Sequence, residues 1–142
     1  MAFKLVSGDA RIEHYTVPAS QAFTNGALGY FDGSGGVIPA DATSGDHTGI
    51  IQKTIATTDA DYASAKKVEF IVPQDNNVFE VTVGTGTLTT AMIGNRYDLK
   101  DSVSIDVTAQ SKKVVTVVGF ISATKALVKI NAVVTNSDVV TS

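Results

Sequence analysis

The chain has 142 residues, of which 44% are hydrophobic and 18% charged, with a formal net charge of −3, which suits one domain long enough to bury a real core. That mildly acidic balance provides no electrostatic footprint for nucleic acid or anionic lipid, and the lysines cluster only as the pairs Lys66-Lys67 and Lys112-Lys113. With no cysteine in the chain, a disulfide framework, a thiolate zinc site and a cysteine nucleophile are all excluded.

Val, Ile and Thr make up roughly a third of the residues and Trp is absent; β-branched side chains lose rotamer freedom in helices and sit well on a pleated surface. The composition therefore predicts a mainly β chain, a compact β-sandwich or β-barrel-like single domain with one short helix and an N-terminal arm. MAFKLVSGDAR at the start has no apolar run behind its lysine, so no secretory signal is read there. The most apolar stretch, Val114–Ile121, is too short to span a bilayer. The chain reads as soluble and made in a cytoplasm, with no membrane partner.

In chain order, residues 1–20 read as the arm. Phe3-Lys4-Leu5-Val6 and Glu13-His14-Tyr15-Thr16-Val17 are short β-prone runs, and Pro18 limits the second because proline cannot donate to a ladder. Such strands are either tucked onto an edge or left free for a partner. Residues 21–135 read as the β-rich domain. Phe23 to Phe31 is a strand interrupted by the turn signal Asn25-Gly26. A glycine-rich loop follows, then an extended Gly49–Ile55, and Asp59 is placed to cap one helical turn.

The second half has clearer periodicity. Phe79, Val81 and Val83 alternate with Glu80 and Thr82; Val103, Ile105 and Val107 alternate with Ser104 and Asp106. Both patterns predict half-buried strands. Lys113 to Ile121 is apolar on both faces and predicts a central strand covered on both sides. The turn Ser122–Lys125 separates it from the last strand, Leu127–Ile130. Thr87 to Gly94 reads as the short helix, begun by a threonine cap and stopped by glycine. Residues 136–142 read as a loose tail.

The segment Tyr30–Ile50 invites the reading of an active site, with five glycines and one of the two histidines. A phosphate cradle needs a glycine loop feeding a helix, with a lysine at hand; here Val37-Ile38-Pro39 follows the glycines and the next lysine is Lys53. Asp32, Asp41, Asp46 and His47 lack the alternating spacing and terminal glutamate of a calcium loop. No G-x-S-x-G elbow occurs, and the adjacent Asp46-His47 would point to opposite sides of an extended chain. Nothing selects a carboxylate pair, and Glu13, Glu69 and Glu80 read as facing solvent. Tyr15, Tyr30, Tyr62 and Tyr97 could stack on a sugar or a base, or pack in the core. The loop therefore carries turn chemistry, and Asp32, Ser34, Asp41, Asp46 and His47 are candidates for an exposed, surface-presenting loop. No catalytic residue, metal or cofactor is assigned.

Two stretches together resemble the small β-rich decoration, or cement, proteins that coat the heads of tailed bacteriophages. One is AFTNGALGYFDGSGGVIPADATSGDHTGIIQKTI, residues 22–55. The other runs from VFEVTVGTGTLTTAMIGNRYDLKDSVSIDV through KKVVTVVGFISATKALVKI, within residues 78–130. The resemblance implies a virion structural protein, not an enzyme, on the outer surface of the capsid. It implies a homotrimer whose partner is the major capsid protein, clamping neighbouring subunits of the expanded shell. It also implies strand addition by the arm, for which Phe3, Lys4, Leu5, Val6, Arg11, Ile12, Tyr15 and Val17 are the candidate residues. A tail-tube, connector or fibre-base protein is the alternative within virions, and a carbohydrate-binding β-sandwich the alternative outside them.

Overall fold

The computed structural model describes residues 2–42, 49–74 and 76–131. Among the described residues eleven strands form two sheets: β1 (Lys4–Ser7), β2 (Arg11–Val17), β3 (Leu28–Phe31), β4 (Val37–Pro39), β5 (Gly49–Ile51), β6 (Lys66–Val72), β7 (Val78–Thr85), β8 (Arg96–Asp101), β9 (Ser104–Asp106), β10 (Val115–Ser122) and β11 (Lys125–Ile130). The only helical elements among the described residues are two 3₁₀ turns, Ala60–Ala63 and Thr90–Met92.

The first sheet is a closed ring, β7-β11-β10-β8-β9. It shuts because β9 pairs in parallel with the second half of β7, Thr82 with Ser104 and Val83 with Ile105. β1 lies end to end with β9 on the same edge of β7, placing Lys4 opposite Glu80 and Leu5 opposite Phe79. Closure removes the unpaired edges that invite association. The second sheet runs β2-β6-β5-β3-β4, all antiparallel, and a bridge from Thr16 to Gly36 ties its two outer strands. The molecule is thus mainly β and barrel-like, in one compact domain.

Two apolar clusters explain the strand sequences. Phe79, Val81, Val83, Leu99, Ile105, Val115, Val117 and Val128 pack with Leu28, Ile50 and Ile71, which the second sheet turns toward the ring. Val17, Val37, Ile51, Val68 and Phe70 pack on the other side of the second sheet. Neighbours such as Ile50 and Ile51, or Phe70 and Ile71, enter different cores because side chains alternate across a strand. A strand buried on both faces is apolar throughout, and this is why Gly49-Ile50-Ile51 does not alternate. Gly49 is needed there: a Cβ would lie 2.6 Å from the Ile71 carbonyl oxygen.

Of the two fates open to the strands of residues 1–20, the structure shows them tucked onto sheet edges, β1 on β7 and β2 on β6. β2 pairs with β6 along all seven residues, Arg11 with Val72 through Val17 with Lys66, and Phe3 and Val17 are buried at 2% and 0% exposure. The Phe3 ring meets Phe79 edge to face, with centroids 6.5 Å apart. Pro18 ends β2 as its chemistry requires, but the strands before it belong to the fold. The chain passes from the first sheet to the second through Gly8–Ala10, and back again between Val72 and Val78. Asn77, fully buried, links the two crossings: its Nδ2 donates to Asp9 O at 3.0 Å and its Oδ1 accepts from Gln74 N at 2.9 Å. Gly8 sits against it at φ +90, where a Cβ would come within 2.7 Å of Asn77 Nδ2 and would also run into the Asn76 carbonyl.

Two further expectations change. The short helix over Thr87–Gly94 is reduced to the 3₁₀ turn Thr90–Met92; Thr89 makes no side-chain cap, while Gly94 does take the left-handed conformation at φ +94. Asp59 precedes the other 3₁₀ turn, but its carboxylate accepts from Ala56 N behind it instead of capping the turn ahead. Residues 136–142 lie outside the described residues.

Removing residues 2–17 is expected to abolish the cooperative urea transition, since it takes two strands and three core side chains, Ala2, Phe3 and Val17. Asn77→Ala leaves Asp9 O and Gln74 N without their partner and is expected to lower unfolding stability by about 2–3 kcal/mol in urea titration.

Candidate functional site

The residues singled out from the sequence do not converge. Of the N-terminal set, Phe3 and Val17 are core, and Leu5 and Tyr15 are half-buried. The Tyr15 ring packs against Phe31 at 5.4 Å and Phe70 at 5.7 Å. Only Lys4, Val6, Arg11 and Ile12 are exposed, and they are divided between strands of two different sheets. In the glycine loop, Asp32 Oδ1 accepts from Ser34 N at 2.7 Å and from Gly36 N at 3.1 Å, and Asp32 N donates to Gly36 O. The carboxylate thus closes its own turn. Ser34 and Asp41 are exposed; Asp46 and His47 lie outside the described residues.

Among the described residues no three His, Asp or Glu side chains gather as metal ligands would. His14 Nε2 lies 3.5 Å from Glu69 Oε2, with both side chains 58% exposed. Two open grooves each set one lysine among apolar and neutral polar groups: one is lined by Phe3, Lys4, Leu5, Asn25, Gln52 and Ile71, the other by Ala2, Thr24, Thr82, Lys100, Val103 and Ser104. The tyrosines are built into the packing. Tyr97 is only 5% exposed and its hydroxyl accepts from Asn95 Nδ2 at 3.1 Å, while Tyr15, Tyr30 and Tyr62 are half-buried against the two cores. Stacking on Tyr97 is excluded by that burial.

One buried acid escaped the sequence reading. Asp98, 5% exposed in β8, accepts from three successive backbone N–H groups: Lys112 at 2.6 Å, Lys113 at 2.8 Å and Ser111 at 3.1 Å. Successive amides in this arrangement form an anion-binding concavity, and here the chain's own carboxylate fills it. Lys113 adopts φ +54 to complete the curve. In the sequence Asp98 stands between Tyr97 and Leu99 in a strand that also carries Arg96, Lys100 and Asp101, so little sets it apart as a buried acid.

The feature that does stand out is at one end of the ring. Val118, Phe120 and Ile121 of β10 are 38%, 41% and 43% exposed, and Ile93 is 46% exposed. The expectation that Lys113–Ile121 is covered on both faces fails at both ends: Lys113 is exposed, Val114, Val115 and Val117 are buried with Thr116 half-buried between them, and Val118 is exposed again. β8 pairs with Val115 and Thr116; Gly94 N and Asn95 O then bond Val117, and the register with β8 goes no further. These bonds place Ile93 next to the start of the uncovered run. The register with β11 shifts between Val117 and Gly119 and again between Phe120 and Ser122. Bulges break the two-residue alternation, so Phe120 and Ile121 are both left in solvent. Residues 84–95 and 114–124, which build this end, carry no charged side chain.

No protein-family model matches the chain, and no curated protein matches it in sequence.

Asp98→Ala leaves three amides without their acceptor and is expected to cost about 3 kcal/mol of stability in urea titration. Asp98→Asn should cost less, since the amide oxygen keeps the Lys112 and Lys113 bonds while its NH₂ faces the Ser111 N–H.

Proposed function

We propose that this chain works by adhesion, as a decoration protein bound to the outside of an expanded bacteriophage head. In this reading it is made in the host cytoplasm, assembles as a homotrimer, and clamps neighbouring major capsid protein subunits without catalytic turnover. The observation that carries the reading is the uncharged apolar end of β10, formed by Val118, Phe120, Ile121 and Ile93. It is supported by the resemblance over residues 22–55 and 78–130.

Four large apolar side chains left in water give a partner surface something to gain, at about 25 cal/mol per Å² removed from solvent. Such a contact is weak alone. Three copies on one trimer raise effective concentration and make attachment durable, with a gain on the order of 10²–10⁴ over a single contact. The clamp works with preformed surface: residues 2–17 already pair with β7 and β6, so strand addition by that segment is not part of the proposal. Lys4, Val6, Arg11 and Ile12 remain as side chains that a capsid could meet.

The test is co-sedimentation with expanded and immature heads. The chain is expected to pellet with expanded heads only. The double substitution Phe120→Asp, Ile121→Asp lies on exposed positions, so it should keep the thermal transition and weaken binding by about a hundredfold, as expected for lost apolar contact multiplied over three sites. Undiminished binding by that folded variant would remove the β10 face from the mechanism.

A further inference from the structure

The lysine pair Lys112-Lys113 stands alone in the sequence but not in the fold. Thr116 of β10 pairs with Arg96 of β8 on one side and with Lys129 of β11 on the other. Tyr97, Val115, Val117 and Val128 point into the ring's core, so the alternating residues Arg96, Thr116 and Lys129 share its outer face. Two strand spacings set Arg96 and Lys129 about 10 Å apart. The loop before β10 brings the lysine pair to the same place. Asp98, two residues along β8 from Arg96, accepts from the Lys112 and Lys113 amides, and Gln110 Nε2 donates to Arg96 O at 3.0 Å. Asn131 ties the other side: its Nδ2 donates to Lys113 O at 2.6 Å and its Oδ1 accepts from Thr116 Oγ1 at 2.7 Å. Arg96, Lys112, Lys113 and Lys129 are all exposed, and none of them pairs with an acid among the described residues. Asp98 lies in their midst but is buried under backbone amides. A chain of net charge −3 thus gathers four cations on one face, where they repel one another until an anion answers them.

We infer that this patch receives a carboxylate-rich protein surface, as the charged rim of the contact whose apolar part is the end of β10. Both lie on one strand, with Thr116 and Phe120 about 13 Å apart at strand rise. An apolar centre beside a polar rim is the anatomy of a protein interface. Nucleic acid fits the patch less well. Single strands need aromatic side chains on which bases stack, and the exposed aromatic of β10, Phe120, stands at the uncharged end. A duplex carries a phosphate charge about every 1.7 Å, far more than a patch about 10 Å wide can answer. The inference rests on reading β10 as adhesive and adds the chemistry of the partner, acids set about 13 Å from an apolar patch. The cations steer the encounter and fix its orientation, while the apolar side chains hold it.

The experiment follows amide chemical shifts of the full chain as a hexaglutamate peptide is added at about 20 mM salt. Shifts are expected around Arg96, Lys112, Lys113 and Lys129, with binding at least about tenfold weaker at about 200 mM salt. The variant Arg96→Gln, Lys112→Gln, Lys113→Gln, Lys129→Gln changes exposed side chains, so it should keep the thermal transition and bind at least about tenfold more weakly. Should it unfold, Arg96→Gln, Lys129→Gln carries the comparison. Equal binding by the folded variant overturns the inference. Tighter binding of a DNA duplex of equal charge overturns it too, because the patch then reads phosphate. So does tighter peptide binding by the full-length variant Asp138→Asn, because an acid of the chain itself is then the occupant. On expanded heads, binding by the unaltered chain should weaken with salt more steeply than binding by the variant; equal salt dependence counts against the patch alone. The peptide measurement needs no capsid. Its failure leaves the decoration reading standing, and failure of the unaltered chain to pellet with heads removes that reading without touching the peptide result.

Discussion

A single amide side chain holds the two halves of the molecule in register. The fold is two sheets sewn together by backbone that crosses twice, once between β1 and β2 and once between β6 and β7. Both crossings must run side by side, because β1 pairs with β7 in one sheet while β2 pairs with β6 in the other. Asn77 supplies one donor and one acceptor between them, out of contact with water. Buried polar groups are costly unless partnered, so this pair of bonds specifies geometry that apolar packing alone would leave loose. Gly8 belongs to the same constraint, since no side chain fits between the crossings there.

From that arrangement follows the two-sided second sheet. One face closes the ring's core through Leu28, Ile50 and Ile71; the other builds a separate core around Phe70, with Val17, Phe23, Val37 and Ile51. The ring itself is sealed by the parallel β7–β9 pairing. The chain therefore covers its sheet faces and most of its edges with its own residues. Val6, Ile12 and Phe31 are left exposed singly, while at the end of β10 several large apolar side chains are left exposed along one strand.

Much of the fold was legible in the residues. The alternation of Phe79, Val81 and Val83, the turn at Ser122–Lys125, and the turn at Asn25-Gly26 all report local backbone preferences, and the structure has them. What was not legible is non-local. Nothing near Phe3 indicates that its ring will meet Phe79, and nothing near Arg11 indicates a seven-residue ladder with β6. A β-prone terminal segment looks the same whether it is paired or free. The candidate surface was hidden for a related reason. VVTVVGFI reads as one buried strand, and only the bulges and the early end of β8 separate buried Val117 from exposed Val118. Asp98 was passed over because its partners, the Ser111–Lys113 amides, lie in a loop that gives no sign of curving around a carboxylate.

The placement of β1 also bears on how the protein comes into being. Lys4 and Leu5 leave the ribosome early, yet their partners Glu80 and Phe79 emerge much later, and ring closure waits longer still for β10 and β11. Long-range pairing of this kind makes folding slow, in the range of milliseconds to seconds for small β proteins. In that interval the nascent strands present unpaired edges. Synthesis rate and chaperone access, more than equilibrium stability, should then set how much of this protein a cell accumulates.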